Sequence, residues 1–402
     1  MVGRTLDLEK AYKNLAPAPA FAPLMVVAIW HPRRKEVVFY RLLAMPFGAR
    51  NSVFSFAGVG LALQMVCCAL FRLPSSEYVD DFTQVGLAAD GKAGQWMTKV
   101  MHLLGWKVQE DPEKTQDFST RFLALGVVFN CEGLGGGAFQ VEDKPGRVEG
   151  VLAALDAAAQ RGALPPPEAA ALRGKLQYTR SQTFGRAGAP GLQAFRRFEA
   201  GGQAGGAELA ELAGFWRAHF QARRPRQLWI RARPPPLLLF TDGAVEPVGG
   251  VAVATIGGVL FDPTQRCTVE YFSGTVAAAR VQAWHAAGTQ HPVFQAELLP
   301  VVVAATTWRR ALRDREVLVF VDNEAARYAL VKGYSPVRSA AQLLGEAWLQ
   351  LARSGAAAWF ARVPSEGNPA DAPSRGVQCP GWRRVGAEVP LGLGTNAEWL
   401  AG

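Results

Sequence analysis

Two adjacent carboxylates mark the segment Glu77-Tyr78-Val79-Asp80-Asp81-Phe82-Thr83-Gln84. The residues on either side have the apolar and aromatic character of strands, so the pattern predicts two strands joined by a tight turn that carries both carboxylates. A double Asp in a turn most often serves turn geometry alone. Two upstream segments add to its interest. Leu6-Asp7-Leu8 puts another Asp at a predicted strand end, and Met45-Pro46-Phe47-Gly48 opens an apolar helix.

The rest of the first block, up to about Gly146, alternates short strands with helices. The apolar runs at residues 25–30, 36–43 and 122–129 have the length and composition of strands. Residues 52–70 are apolar on most faces and predict a buried helix, whereas residues 92–104 predict an amphipathic one.

The middle block, residues 147–233, is Ala-rich and predicts helices without any strand, broken at residues 165–167 and 201–206 by Pro and Gly. Its last part, residues 217–233, carries six Arg and no acid, interleaved with Phe220 and Trp229. Two interpretations stay open. The segment is either a solvated basic linker or a nucleic-acid track in which Arg neutralises phosphates and aromatic rings stack on bases.

The last block, from Leu237 onward, predicts an antiparallel meander followed by crossover helices. Strands are predicted at residues 237–241, 249–256, 267–273 and 316–321, and a long helix at residues 292–312. This order indicates an α/β layer architecture with a mixed sheet.

Four carboxylates of this last block stand at positions that favour a metal site. Asp242 and Asp322 each follow a predicted strand, Glu297 lies on the apolar face of a predicted helix, and Asp371 is near a helix start. A carboxylate on an apolar face is costly unless it is paired or binds a metal. Each also has an ordinary explanation: a turn for Asp242, a salt bridge for Glu297, and the helix dipole for Asp371.

Length and composition exclude several classes of protein. The 402 residues allow two or three domains, and 49% hydrophobic residues with 19% charged ones exclude a disordered chain. The net charge of +9 favours a polyanionic partner. The five cysteines form no C-x-x-C pair, and the apolar stretch 59–71 is shorter than a membrane span. Without a signal peptide, we expect an intracellular protein with no membrane partner.

The motifs of the first block, in their order, resemble the palm of retrotransposon reverse transcriptases. Matching segments are L-D-L-x-x-A-Y, P-F-G, Y-x-D-D, Gly105-Trp106 followed by Lys114, and F-L-x-x-G at residues 122–126. The resemblance implies that Asp7 and Asp80, assisted by Asp81, bind two Mg²⁺ ions, with Mn²⁺ as a possible substitute. It also implies that Tyr12, Phe47, Gly48 and Lys114 contact the incoming nucleotide.

In that family a long fingers region precedes the first catalytic Asp. Here Asp7 is almost the first residue. We therefore expect the fingers to be missing and the polymerase activity to be impaired.

The four carboxylates of the last block resemble the set of type 1 ribonuclease H domains. The segment V-P-S-x-x-N-x-A-D-x-P-S-R at residues 363–375 resembles the form fused to retrotransposon polymerases. The resemblance implies that Asp242 bridges two Mg²⁺ ions, with Glu297 and Asp322 on one and Asp371 on the other. Gln295 and Asn323 are candidate donors to the hybrid, or ordinary helix-start polar residues. The loop 365–368 lacks the His that many relatives carry.

The sequence thus predicts an α+β and α/β chain with three parts: a palm at residues 1–146, a helical thumb or connection with a basic linker at 147–236, and a ribonuclease H-like domain at 237–402. The expected activities are RNA-directed DNA polymerisation and Mg²⁺-dependent hydrolysis of RNA in RNA–DNA hybrids. Expected partners are an RNA template, a DNA primer, the hybrid, and dNTP if the polymerase is competent. Two alternatives remain: a catalytically inert nucleic-acid-binding remnant, and a nuclease with another duplex target.

Overall fold

The computed structural model describes residues 1–87, 91–111, 114–180, 186–203, 205–222, 224–265, 269–286 and 292–401. It divides into two compact units. One comprises Met1–Lys144 and Gln227–Arg231, and the other comprises Pro145–Arg226 and Ala232–Gly402. Antiparallel and mixed sheets occur together with many helices, which confirms the predicted mixed fold class. Residue 267, the predicted start of a strand, lies outside the described residues.

The first unit contains a three-stranded antiparallel sheet that carries the Asp80–Asp81 turn. Its strands are β1 (Val2–Asp7), β4 (Ser75–Tyr78) and β5 (Asp81–Gly86), in the order β1-β5-β4, while β2 (Val26–His31) and β3 (Glu36–Arg41) form a separate hairpin. Tyr78 pairs with Asp81, so Val79 and Asp80 make the turn, and Val79 has a positive φ of 59°. The predicted strand, turn and strand are confirmed, but the turn carries only Asp80, because Asp81 is the first residue of β5.

Helix α1 (Arg50–Leu70) packs on this sheet along one side only. Its buried residues are Ser52, Phe56, Gly60, Leu63 and Cys67, whereas apolar residues such as Leu61 and Met65 are exposed. The prediction of a buried helix is wrong, because the described residues cover one face of a helix that has apolar residues on most faces.

Helix α1 is longer than the apolar stretch 59–71, which by itself is shorter than a membrane span. Its 21 residues are long and apolar enough to cross a bilayer by length and composition. The core helices of soluble proteins pass the same test, so this property alone does not make α1 a span. Helix α2 (Gly91–Leu103) follows, close to its predicted position.

A second sheet of the first unit corrects two predictions. Its strands are β6 (Arg121–Ala124), β7 (Val127–Asn130), β8 (Ala138–Asp143) and β9 (Arg226–Trp229), in that order. The single strand predicted at 122–129 is a hairpin, because Leu125 and Gly126 both have positive φ and form a two-residue turn. Strand β9 lies in the block where no strand was predicted, and its four residues, Arg-Gln-Leu-Trp, show no alternation of polar and apolar side chains.

Four helices precede the large sheet of the second unit: α3 (Arg147–Arg161), α4 (Pro166–Arg180), α5 (Ala189–Glu199) and α6 (Gly206–Ala222). Their apolar faces form one core around Leu155, Phe195, Phe198 and Trp216. The predicted helical character of this segment is confirmed.

The rest of the second unit forms a large sheet with its helices. Its elements in chain order are β10 (Leu237–Val248), β11 (Val251–Phe261), β12 (Val269–Val276), α7 (Ala278–Ala286), α8 (Val293–Thr307), β13 (Glu316–Val321), α9 (Glu324–Lys332), α10 (Arg338–Ser354), β14 (Ala357–Arg362), α11 (Asp371–Ser374), β15 (Arg383–Arg384), α12 (Asn396–Trp399) and β16 (Leu400–Ala401). The strands lie in the order β14-β13-β10-β11-β12-β15, with β16 beside β12. Strands β13 and β14 run parallel to β10, and β11 and β12 run antiparallel, so the predicted mixed sheet is confirmed.

Strand β10 is longer than predicted, and this changes the position of Asp242. The sequence Asp-Gly suggested a turn after residue 241, but the strand continues to Val248 and pairs with β11 along that length. Asp242 therefore lies inside a strand. Helix α8 ends at Thr307, earlier than predicted, and it is buried almost throughout.

Candidate functional site

Three of the predicted carboxylates converge in the second unit. Asp322 directly follows β13, whose residue Val321 pairs with Thr241 of the parallel strand β10, so Asp242 and Asp322 are neighbours. Glu297 reaches them from the first half of α8. One ligand oxygen from each of Asp242, Glu297 and Asp322 lies within 4.8 Å of the others, and this is the only such metal-capable group among the described residues.

Gly243 explains how Glu297 comes so close to Asp242. A Cβ at position 243 would lie 2.0 Å from the carbonyl oxygen of Ala296, so only glycine lets α8 approach β10 here. The Gly243 N–H also donates to the Glu297 carboxylate. The glycine that the sequence suggested as a turn residue instead serves a close helix–strand contact.

Burial and mutual repulsion dominate the electrostatics of this cluster. Desolvation, followed by the charges of Asp322 and Asp242, raises the pKa of Glu297 to about 9, although hydrogen bonds from Gly243 and Asn323 oppose the shift. Desolvation also raises the pKa of Asp242 against the hydrogen bond from Ser374, with Asp322 and Asp371 adding to the rise. A bound cation would relieve this repulsion.

The donor set fits a hard divalent cation. Glu297 Oε2 and Asp322 Oδ1 are buried and have no hydrogen-bond partner, so these two oxygens are available as ligands. Carboxylate oxygens are the ligands that Mg²⁺ and Mn²⁺ prefer. The three carboxylates Asp242, Glu297 and Asp322 could therefore hold such an ion.

Asp371 lies beside this cluster but outside its 4.8 Å group. It begins α11, its side chain is 45% exposed, and its Oδ1 accepts a hydrogen bond from Arg375 Nε at 3.0 Å. Arg375 also pairs with Glu246 at 2.7 Å. The structure thus brings three of the four predicted carboxylates together and holds the fourth in an ion pair.

The two predicted hybrid donors make helix-start contacts. Gln295 is fully buried, and its Nε2 donates to Ser339 Oγ at 3.0 Å. Asn323 caps α9, where its Oδ1 accepts from the Ala326 N–H at 3.0 Å. The Asn323 side chain also donates a hydrogen bond to the Glu297 carboxylate, so Asn323 contacts the carboxylate cluster directly.

The predicted carboxylates of the first unit lie at the ends of paired strands. Asp7 is the last residue of β1 and pairs with Asp81 of β5, and the Leu8 N–H donates to the Asp80 carbonyl at 3.3 Å. Asp7 is buried, and Lys114 Nζ lies 3.1 Å from its Oδ2. Desolvation is the largest cause of a raised pKa at Asp80 and at Asp81, and the charge of Asp7 adds to it at both.

The predicted nucleotide contacts lie beside these carboxylates. Tyr12 is buried and meets Phe47 edge-on with ring centroids 5.3 Å apart. Desolvation, followed by the charge of Asp80, raises the pKa of Tyr12. Phe47 is exposed, and Gly48 has a φ of 83°, a conformation that favours glycine. Asp7, Asp80, Tyr12, Phe47 and Lys114 therefore share one region of the first unit.

Three arginines of the basic segment 217–233 are held in ion pairs. Arg217 of α6 donates to both carboxylate oxygens of Asp156 in α3, at 2.8 and 2.9 Å. Arg224 pairs with Asp314 at 2.5 Å, and Arg233 pairs with Glu316 at 3.0 Å. These arginines bind acidic residues of their own unit, and the segment contributes helix α6 and strand β9.

Two residues of the site had no assigned role from the sequence. Ser374 Oγ donates a hydrogen bond to Asp242 Oδ2, and Asn368 Nδ2 donates to the carbonyl oxygen of Thr241 at 3.1 Å. Both belong to the segment N-x-A-D-x-P-S-R at residues 368–375. The polar residues around Asp371 in this segment are the sequence feature that could have pointed to Asn368 and Ser374.

Among solved structures, this chain has remote similarity to reverse transcriptase complexes. No protein-family model matches the sequence, and no curated protein matches it. A foamy viral protease-reverse transcriptase in complex with double-stranded DNA is 13% identical with a TM-score of 0.43, and the match covers 90% of this chain and 68% of that one. The dRH form of that protein with double-stranded DNA is 13% identical with a TM-score of 0.42, covering 90% and 56%. The function proposed below rests on the chain's own residues.

Proposed function

We propose that the second unit hydrolyses the RNA strand of RNA–DNA hybrids in a reaction that depends on Mg²⁺, with Mn²⁺ as a substitute. The observation that carries this proposal is the group formed by Asp242, Glu297 and Asp322, whose ligand oxygens lie within 4.8 Å of one another. Two of its buried oxygens have no hydrogen-bond partner. The ribonuclease H-like domain would comprise residues 237–402.

Divalent ions bound there would supply an activated water and stabilise the charge that develops on the leaving oxygen. The chain's own residues would hold and orient these ions. Asp242, Glu297 and Asp322 are already gathered, whereas Asp371 would have to exchange its contact with Arg375 for a second ion. Glu297, whose pKa is about 9, would release its proton when it becomes a ligand.

We propose that the first unit carries the polymerase residues of a retroelement reverse transcriptase. Asp7, Asp80 and Asp81 would hold the second pair of Mg²⁺ ions, and Tyr12, Phe47, Gly48 and Lys114 would contact the dNTP. The support is that Asp7 and Asp81 are paired across adjacent strands and that Tyr12 lies near Asp80. An RNA template and a DNA primer would be its other partners, with residues 147–236 as the thumb or connection.

A polymerase that copies RNA into DNA leaves an RNA–DNA hybrid, which the second unit would consume. Recognition of that hybrid would use its wide minor groove and RNA 2′-hydroxyls. The net charge of +9 is compatible with such a polyanion. We propose that the chain acts inside the cell.

A specific observation favours a second candidate function, that of an inert nucleic-acid-binding remnant. Two of the seven predicted metal ligands are held in ion pairs, Asp7 with Lys114 and Asp371 with Arg375. Under this alternative the carboxylates bind no ions and the chain binds nucleic acid through its positive charge.

Cleavage of a labelled hybrid by the full chain distinguishes these functions. We expect cleavage in Mg²⁺ and in Mn²⁺. Loss of a hydrogen-bond partner of a metal ligand typically lowers activity roughly 10–100-fold, so Asp242→Asn and Asp322→Asn, which change the ligands themselves, should each lower the cleavage rate by more than that. Glu366→Gln, on an exposed residue of the segment 363–375, is the matched control. Double-stranded RNA and double-stranded DNA substrates test the target class. An intact hybrid in both ions contradicts the proposal, and binding without cleavage favours the remnant.

A further inference from the structure

The Ser374 hydroxyl is placed to fix the orientation of the Asp242 carboxylate. Ser374 is 1% exposed and belongs to the short helix α11, yet its Oγ donates to Asp242 Oδ2 across 132 positions of sequence. The same Oγ lies 2.8 Å from the Asp371 carbonyl oxygen. A hydroxyl has one proton to donate, and a charged carboxylate is the stronger acceptor of the two.

Asn368 attaches the same segment to the neighbouring residue of β10. Its Nδ2 donates to the carbonyl of Thr241 at 3.1 Å, and its Oδ1 accepts from the Ala370 N–H at 3.1 Å. Asn368 is itself 5% exposed. The segment 363–375 therefore contacts β10 at two consecutive residues, Thr241 and Asp242.

Gly257 makes this attachment sterically possible. It is the cross-strand partner of Asp242 on β11, and a Cβ there would lie 2.4 Å from the backbone nitrogen of Ser374. Because that atom belongs to the backbone, it could not move aside cheaply. The strand pair thus has a gap beside Asp242 that the α11 backbone fills.

We propose that Asn368 and Ser374 are positioning residues that hold the Asp242 carboxylate in the orientation needed to bind a divalent cation. Asp242 lies close to Glu297 and Asp322, and repulsion among ionised carboxylates would turn an unrestrained side chain away from the cluster. The hydrogen bond from Ser374 opposes that rotation. Hydrogen bonds to ligating groups typically contribute a factor of 10–100 to metal affinity. The inference rests on the proposed metal site, and its test measures binding rather than catalysis.

The experiment is isothermal titration of Mn²⁺ into the full chain, with Asp242→Asn identifying the binding event that belongs to this site. Ser374→Ala should weaken that event about 10–100-fold. Asn368→Ala should weaken it in the same direction. Ser365→Ala, the same change at an exposed position of the same segment, should leave it within about twofold, well below the effect of a ligand-supporting hydrogen bond. Ser374→Thr keeps the hydroxyl and should bind closer to wild type than Ser374→Ala does.

Each outcome decides the proposal. Equal affinity in Ser374→Ala and wild type overturns it, as does equal weakening in Ser374→Ala and Ser374→Thr, since packing would then be the cause. Absence of any Mn²⁺ event that depends on Asp242 overturns it too. If the expected pattern appears while the wild-type chain leaves the hybrid intact, the positioning role stands and the hydrolytic function fails.

Discussion

Glu297 has the largest described electrostatic perturbation of the proposed hydrolytic site. Its pKa is raised from 4.5 to about 9, with desolvation as the first cause and the neighbouring Asp322 and Asp242 as the next. At neutral pH the metal-free carboxyl is therefore protonated. Folding holds this proton more tightly than the unfolded chain does, so the stabilisation is full below pH 4.5 and is lost as pH rises towards about 9.

This linkage gives the first prediction. In EDTA, the free energy of unfolding should fall between pH 6 and pH 9, and Glu297→Gln should flatten that fall because the amide does not titrate. The measurement is chemical denaturation across this range. At pH 7.5, Mn²⁺ binding should also release about one proton, detectable as a dependence of the titration heat on the buffer. Equal pH slopes in the variant and the wild type would refute the assignment.

Single residues also show where sequence reasoning succeeds and fails. Asp242, Glu297 and Asp322 could be predicted because their motif order resembles a known set and the carboxyl ends of parallel strands meet at one edge. The contact between Ser374 and Asp242 could not, since it depends on the space left by Gly257 on another strand. The ion pair of Asp371 with Arg375 is different, because its i,i+4 spacing is local and can be read from the sequence.

For the helices and strands, the periodicity of apolar residues and the composition predicted which segments form each type, but not which of their faces are buried. The block 316–321 is the strand β13 with the predicted bounds, because a continuous apolar run between polar residues has one plausible length. Helix α1 shows the converse. A helix with apolar residues on most faces has no single apolar stripe to indicate its packed side, so the exposed positions along α1 could not be predicted.

The packed side of α1 gives the second prediction. Leu63 is 4% exposed and belongs to the core of the three-stranded sheet, whereas Leu61, two positions earlier on the same helix, is 53% exposed. Leu63→Ala should lower the free energy of unfolding by about 2–5 kcal/mol. Leu61→Ala should change it by less than about 0.5 kcal/mol. Urea denaturation of both variants makes the comparison, and equal costs would mean that another face of α1 is packed.

For the whole molecule, part of the positive charge of the basic segment 217–233 is neutralised by nearby carboxylates. Arg217, Arg224 and Arg233 are paired with Asp156, Asp314 and Glu316, so each contributes a neutralised pair rather than a free charge. Composition predicted the excess of +9 correctly, since charges can be counted. Their partners could not be predicted, because Arg217 and Asp156 are brought together only by the packing of α6 against α3.

Arg226 and Arg231 remain exposed in the same segment, and they give the last prediction. Each cation that neutralises a phosphate steepens the dependence of the logarithm of affinity on the logarithm of salt concentration by about one. If the segment contacts the hybrid, Arg226→Ala with Arg231→Ala should reduce that slope by about two. The matched control is Arg217→Ala with Asp156→Ala, which removes an ion pair at constant net charge and should leave the slope unchanged. Fluorescence anisotropy from 50 to 200 mM salt measures it. An unchanged slope in the first double variant would mean that other residues contact the phosphates, because losing a cation that neutralises a phosphate must lower the number of counterions released on binding.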